Sequence, residues 1–239
     1  MEYSKLQTEL GSYVGKLLRD SFGRGPGSVF VSIDNFVITI YLRNFLSPTE
    51  NILMSQQQEI LLQQTRDKLM ETLIPEIKAY VKILANMEIQ EFYYDWALHN
   101  KSGLFVCICS NQTEYEASMK NEYEGKAEIH REIASISIQA QKEPDETLSY
   151  LLNPRTLIVI RNGILVRIEK ELIRMGLGES LRIAKRNLEK SLLHTTNRFE
   201  AILNTKVIDI FVDWDFNLDK SAIVLILTPT NNGGNELDN

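Results

Sequence analysis

The sequence predicts an α+β protein of two tandem α-β-β-α-β-β modules, each a four-stranded antiparallel sheet with helices on one face. Three observations carry that prediction. The stretch QEFYYDWALHNKSGLFVCIC (Gln90–Cys109) repeats as IDIFVDWDFNLDKSAIVLIL (Ile208–Leu227), and Asp95-Trp96 falls on Asp213-Trp214 without a gap. The two tryptophans are the only ones in the chain. Within each copy, stretches of helical period alternate with pairs of short Val/Ile-rich runs, and short connections between such runs impose antiparallel pairing. Two helices laid on one face of four antiparallel strands is the economical way to bury both apolar surfaces.

The first copy is read element by element. Residues 5–22 place Leu6, Leu10, Val14, Leu17, Leu18 and Phe22 at steps of three and four, which is one face of a helix. Gly23-Arg24-Gly25-Pro26-Gly27 stops it, because glycine frees the backbone and proline cannot continue a helix. Residues 28–33 and 36–43 alternate as strands around a two-residue turn at Asp34-Asn35. Leu53, Ile60, Leu61, Leu69, Leu73, Ile77, Val81 and Leu84 then predict a long helix, with a kink or break expected at Pro75. Strands over 88–96 and 103–109 close the module.

In the second copy, TLIVIRNGILVRIEK (Thr156–Lys170) resembles SVFVSIDNFVITIYL (Ser28–Leu42), which places a hairpin turn at Asn162-Gly163. A helix carrying Leu181, Ala184, Leu188, Leu192, Phe199 and Ile202 follows, and then strands over 207–214 and 222–227. IASISIQA (Ile133–Ala140) alternates as much as it steps, and the repeat makes it a helix. The domain boundaries expected are 1–112 for the first module, 113–126 for a Glu-rich linker or solvated helix, 127–230 for the second module, and 231–239 for a polar, disordered tail.

Composition narrows the function classes. The 239 residues carry a formal net charge of −6, against the basic face that a nucleic-acid binder needs to displace counterions from phosphates. No nucleic-acid partner is expected. The N-terminus lacks a basic region followed by an apolar one, and the apolar runs are short, so neither a signal peptide nor direct membrane insertion is expected. Cys107 and Cys109 share one strand face and read as small buried hydrophobes in a reducing cytoplasm.

No catalytic residue, metal ligand set or cofactor motif is legible. His99, His130 and His194 stand in no metal-ligand or nucleophile frame, and there is no phosphate-binding glycine loop of the strand-loop-helix kind. Arg24 and Pro26 sit either in a helix stop with a tight turn or in a loop presenting Arg24 to an anion or an acidic partner. Ser47-Pro48-Thr49-Glu50 caps the long helix, or sets Glu50 opposite Arg24 across a groove; a glutamate recurs in Gly176–Glu179. Asp95 reads as the cap of a structural corner beside Trp96.

An amphipathic first helix, then Gly23-Arg24-Gly25-Pro26, a hairpin, Leu46-Ser47-Pro48-x-Glu50, a long helix and a closing hairpin with Asp95 resemble the MpsC-like family, formerly a domain of unknown function. The resemblance covers residues 5–110, and residues 127–228 resemble a degenerate second copy without the G-R-G-P loop. It implies a non-enzymatic accessory or binding protein for a membrane system that translocates cations or inorganic carbon, cytoplasmic and peripheral at the inner face of the cell membrane, with a protein partner or a second copy of itself. The binding residues expected are Arg24, Pro26, Glu50 and Asp95. A small-anion-binding protein or enzyme using Arg24 and Glu50 is the alternative.

Overall fold

In the computed structural model, residues 2–34, 36–109, 112–119 and 121–228 are described. The first module runs α1 (Glu2–Phe22), β1 (Ser28–Ile33), β2 (Val37–Arg43), α2 (Pro48–Ser55), α3 (Glu59–Ala85), β3 (Ile89–Ala97) and β4 (Ser102–Cys109). Helix α4 (Gln112–Met119) leads to the second module: α5 (Lys126–Ala140), β5 (Glu146–Asn153), β6 (Thr156–Asn162), α6 (Arg167–Arg174), α7 (Gly178–Thr195), α8 (Arg198–Leu203), β7 (Val207–Asp215) and β8 (Lys220–Leu227). The strands form two four-stranded antiparallel sheets of identical order, β1-β2-β4-β3 and β5-β6-β8-β7.

Each sheet is apolar on both faces, for different reasons. One face takes the helices: Leu10, Val14 and Leu18 of α1 and Leu73, Ile77 and Val81 of α3 close over Ile38, Ile40 and Phe105. In the second module Ile129, Ile133 and Ile136 of α5 close over Leu157, Val159 and Ile223. The opposite faces pack on each other. Leu104, Val106 and Ile108 share one core with Ile158, Ile160, Val224 and Ile226. The result is four layers, helices outside and two sheets within, so every inner strand is buried on both sides and reads as a continuous hydrophobic run.

Three expectations are corrected. The second module's first hairpin turns at Pro154-Arg155, not at Asn162-Gly163, because β5 pairs with β6 from Glu146↔Asn162 to Asn153↔Thr156. Asn162-Gly163 instead ends β6. Gly163 takes φ +63°, and an added Cβ would collide with the Asp145 carboxyl. A left-handed glycine serves a strand exit as well as a hairpin. Residues 164–170 therefore enter α6 rather than a strand. The equivalent of Glu50 is Glu169, not Glu179: each accepts a backbone N–H three residues earlier, Ser47 N–H at 2.7 Å and Val166 N–H at 2.9 Å.

The break allowed for at Pro75 does not form. Helix α3 runs through it uninterrupted. The break comes between α2 and α3, where Gln57 adopts φ 58°. Pro75 is exposed, so water can satisfy the carbonyl that its missing N–H leaves free. The turn expected at Asp34-Asn35 includes Asn35, and the tail expected over 231–239 includes only residues beyond 228; these lie outside the described residues. Helix α4 occupies the beginning of the segment expected to link the modules, and the helix expected over residues 133–140 forms as the end of α5.

In each module a buried cation joins the helix cap to the tryptophan of the closing hairpin. The Arg66 guanidinium lies over the rings of Trp96 at 4.4 Å, Phe45 at 4.8 Å and Phe22 at 5.6 Å. Its Nε and Nη2 donate to the two Glu50 oxygens at 2.7 and 2.9 Å, and Nη2 also donates to the Phe45 carbonyl at 3.0 Å. In the second module Lys185 lies 5.4 Å from the Trp214 ring centre and 2.7 Å from Glu169. The cation ties the helix-capping glutamate to the tryptophan of the closing hairpin.

Burial pushes the Glu50 carboxyl up, but Arg66 and Ser47 outweigh it and hold it below the usual glutamate range. A carboxylate with a lowered folded pKa adds stability above its unfolded pKa, and that stability is lost as pH falls through the folded value. Glu50→Gln should therefore lower stability at neutral pH and flatten the acid limb of a stability-versus-pH curve. Urea denaturation followed by tryptophan fluorescence from pH 3 to 7 measures both; an unchanged acid limb would exclude this role.

Candidate functional site

The densest cluster of buried charge lies where β3 of the first module meets β7 of the second. The two strands exchange carboxylates. Asp95 Oδ2 accepts the Val212 N–H at 3.0 Å, and Asp213 Oδ2 accepts the Tyr94 N–H at 2.9 Å. Since Asp95 matches Asp213 and Tyr94 matches Val212 in the repeat, these are one contact made twice about a local two-fold axis. A further pair obeys the same relation: Asp209 meets Ser102 at 2.8 Å, while Glu91 meets Lys220 at 2.6 Å. The axis passes close to the Asp67–Arg186 pair, whose members occupy matching positions on α3 and α7 and lie 3.3 Å apart.

Helix α7 supplies the countercharge. Arg182, Arg186 and Lys190 stand four residues apart and so share one helix face. Arg182 pairs with Asp213, Arg186 Nε lies 3.2 Å from Asp95, and Lys190 Nζ lies 2.7 Å from Asp95. Burial pushes the Asp213 carboxyl up despite Arg182 and Arg186, and pushes Lys190 down despite Asp95. The cluster is a desolvated ionic seam whose members are held by one another.

Beside the seam, His194 and His99 rings meet edge to face at 5.5 Å. Burial first, then His99 and Lys190, hold the His194 imidazole below the usual histidine range. Cys107 and Cys109 are buried and unpaired; burial pushes the Cys109 thiol up to about 11. Among the described residues, no group of three or more His, Cys, Asp or Glu is arranged to hold a metal ion.

A second feature is an open groove of about 1140 Å³, bounded by α1, β1, the end of β2 and the Pro154-Arg155 turn. Its charged lining residues are Lys16, Arg19, Arg43 and Arg155, with no carboxylate among the described residues that line it. Gly11 and Gly15 let α1 lie close on Val29 and Val31, where a Cβ would sit 3.4–3.8 Å from those side chains.

The four residues singled out in the sequence are dispersed. Pro26 lines the groove. Arg24 is exposed on the loop beside it and does not line it. Glu50 is committed to Arg66 and the Ser47 N–H, and Arg24 is not among its partners. Asp95 is buried in the seam. Sequence reasoning missed Arg66, Lys185, Arg186, Arg161 and Glu189. The last two form a buried pair at 2.6 Å where the first module has Leu42 and Met70. Paired polar replacements at matched core positions were the available signal.

Fold and seam together define a tandem α+β protein whose halves associate as an internal dimer across exchanged carboxylates. The chain belongs to the family described as Na+-translocating membrane potential-generating system (MpsC), whose model matches residues 2–111 and again residues 121–229. No match was found among curated proteins or solved structures. No helix among the described residues is long and apolar enough to cross a membrane.

Removing one member of a buried ion pair costs about 3–5 kcal/mol, because the partner charge is left uncompensated. Arg186→Ala should destabilise by that order. Lys190→Ala should cost less, since Lys190 is partly exposed and Asp95 keeps Arg186. Urea denaturation of the two variants decides it, and equal losses would contradict the ranking.

Proposed function

We propose that this protein is a non-catalytic accessory subunit of a membrane system that translocates cations or inorganic carbon, held at the inner face of the cell membrane by a protein partner. The observation that carries the reading is the family match over both modules. Two structural features support it. The most buried ionisable groups are spent on joining the two modules and on seating helices, which suits a rigid scaffold. The open groove faces outward with a single sign of charge, which suits recognition of another molecule. The alternative, a small-anion site spanning Arg24 and Glu50, has less support, because Arg66 and the Ser47 N–H already take both Glu50 oxygens.

Deleting the coding sequence in the native cell and reading membrane potential with a voltage-sensitive dye, with and without Na+, tests the proposal. The Na+-dependent part of the potential should fall and return on complementation with the full chain. A potential indifferent to the deletion would overturn it.

A further inference from the structure

The internal two-fold is also broken at the groove. On one side of the molecule α4 packs on β5. Its Tyr115 ring meets Phe36 at 5.6 Å, edge to face, and its Met119 is buried in the inter-sheet core alongside Leu148, Tyr150 and Leu152 of β5. The strand registers give the matching positions on the other side. Phe30 stands opposite Tyr41 as Leu148 stands opposite Ile160, and Tyr41 in turn stands opposite Leu104 as Ile160 stands opposite Ala222. Phe30 is therefore the counterpart of Leu148, and Arg155 that of Phe36. Where α4 lies on one side, the described residues leave an open groove on the other, and Phe30 in it is 47% exposed.

The geometry points to this groove as the docking site for a short, acidic amphipathic helix of a partner protein, seated as α4 is seated on the matching side. The apolar stripe of the occupant follows from the floor. Phe30 stacks near Tyr41 at 6.2 Å, and Leu104, Ile208 and Ile226 continue the surface. Tyr115 and Met119 of α4, four residues apart, show the spacing that fits such a floor. The acidic character follows from the rim. Lys16, Arg19, Arg43 and Arg155 are all exposed there, although the chain as a whole carries a net charge of −6. A concentration of one sign against the overall balance steers and orients a partner of the opposite sign. Where α4 touches Phe36, the occupant would meet Arg155, so a carboxylate is expected where α4 carries its ring.

This inference rests on the accessory-subunit reading, and its test is separable from that one. The photo-crosslinking residue benzoylphenylalanine is placed at position 30 of the full chain in native cells, with a control at Ile83, 83% exposed on α3. Adducts are mapped by mass spectrometry. The expected product from position 30 joins a segment of another protein with carboxylates and apolar residues at helical spacing. Its yield should fall at least tenfold in Arg19→Glu/Arg155→Glu and severalfold in Arg19→Gln/Arg155→Gln, both checked for an unchanged thermal melt. Adducts to lipid, to a second copy, to residues 229–239 of the same chain, or no adduct beyond the Ile83 level, would overturn the assignment, as would a yield indifferent to charge reversal. A Na+-dependent potential that needs the protein, together with a negative crosslink, would reject this site and leave the accessory reading standing.

Discussion

The exchange of Asp95 and Asp213 between β3 and β7 is the constraint on which the rest of the molecule depends. A carboxylate taken out of water costs several kcal/mol unless its lone pairs and charge are answered. Here each carboxylate receives a backbone N–H from the other module and a cation from α7. Each aspartate takes a backbone N–H from the other module, and Asp95 takes its cations from it as well. The aspartates thus fix the two sheets face to face at one register, and the apolar inner faces supply the bulk of the adhesion. Specificity of docking comes from the seam and adhesion from the core.

The seam also makes the halves non-equivalent. At matching helix positions α3 carries Gln63, Asp67 and Glu71, and α7 carries Arg182, Arg186 and Lys190. Asp67 meets Arg186 close to the local axis, where a true homodimer would set a residue against its own copy. Like charges at that place repel; opposite charges there require two different sequences. The tandem chain provides them, so acid on one half and base on the other specifies pairing within the chain.

Much of the fold was legible because the strongest signals were local and doubled. Trp96 and Trp214 anchor the repeat, and their hairpins follow at once. What failed was the reading of Asn162-Gly163, whose turn chemistry overrode the weaker alternation of ETLSYLLN (Glu146–Asn153). An Asn-Gly pair specifies positive φ, not which element comes next, and here the next element is α6. At Pro75 the break does not form, since an exposed proline can be carried in a long helix anchored by Leu73, Ile77 and Val81. The ionic seam was not legible at all. Arg182, Arg186 and Lys190 have the spacing of a solvated helix face, and only the first module lying over them makes them interior. Glu50 was recognised as a cap, but its cation partner Arg66 was hidden because the rings that bury it, Phe22, Phe45 and Trp96, come from distant parts of the first module.

The asymmetry at the seam and the asymmetry at the groove have a common physical origin. In a symmetric pair of single modules, the two grooves beside β1 and β5 would be alike, both open or both filled. One continuous chain must cross from β4 to α5 on one side only, and α4 lies along that crossing. Its Tyr115 and Met119 close the groove there against Phe36 and the inter-sheet core. Among the described residues no equivalent segment lies along the β1 side, where Phe30 and the basic rim are exposed. The crossing from β4 to α5 thus makes the two sides of a two-fold scaffold differ without any change in the topology of either sheet.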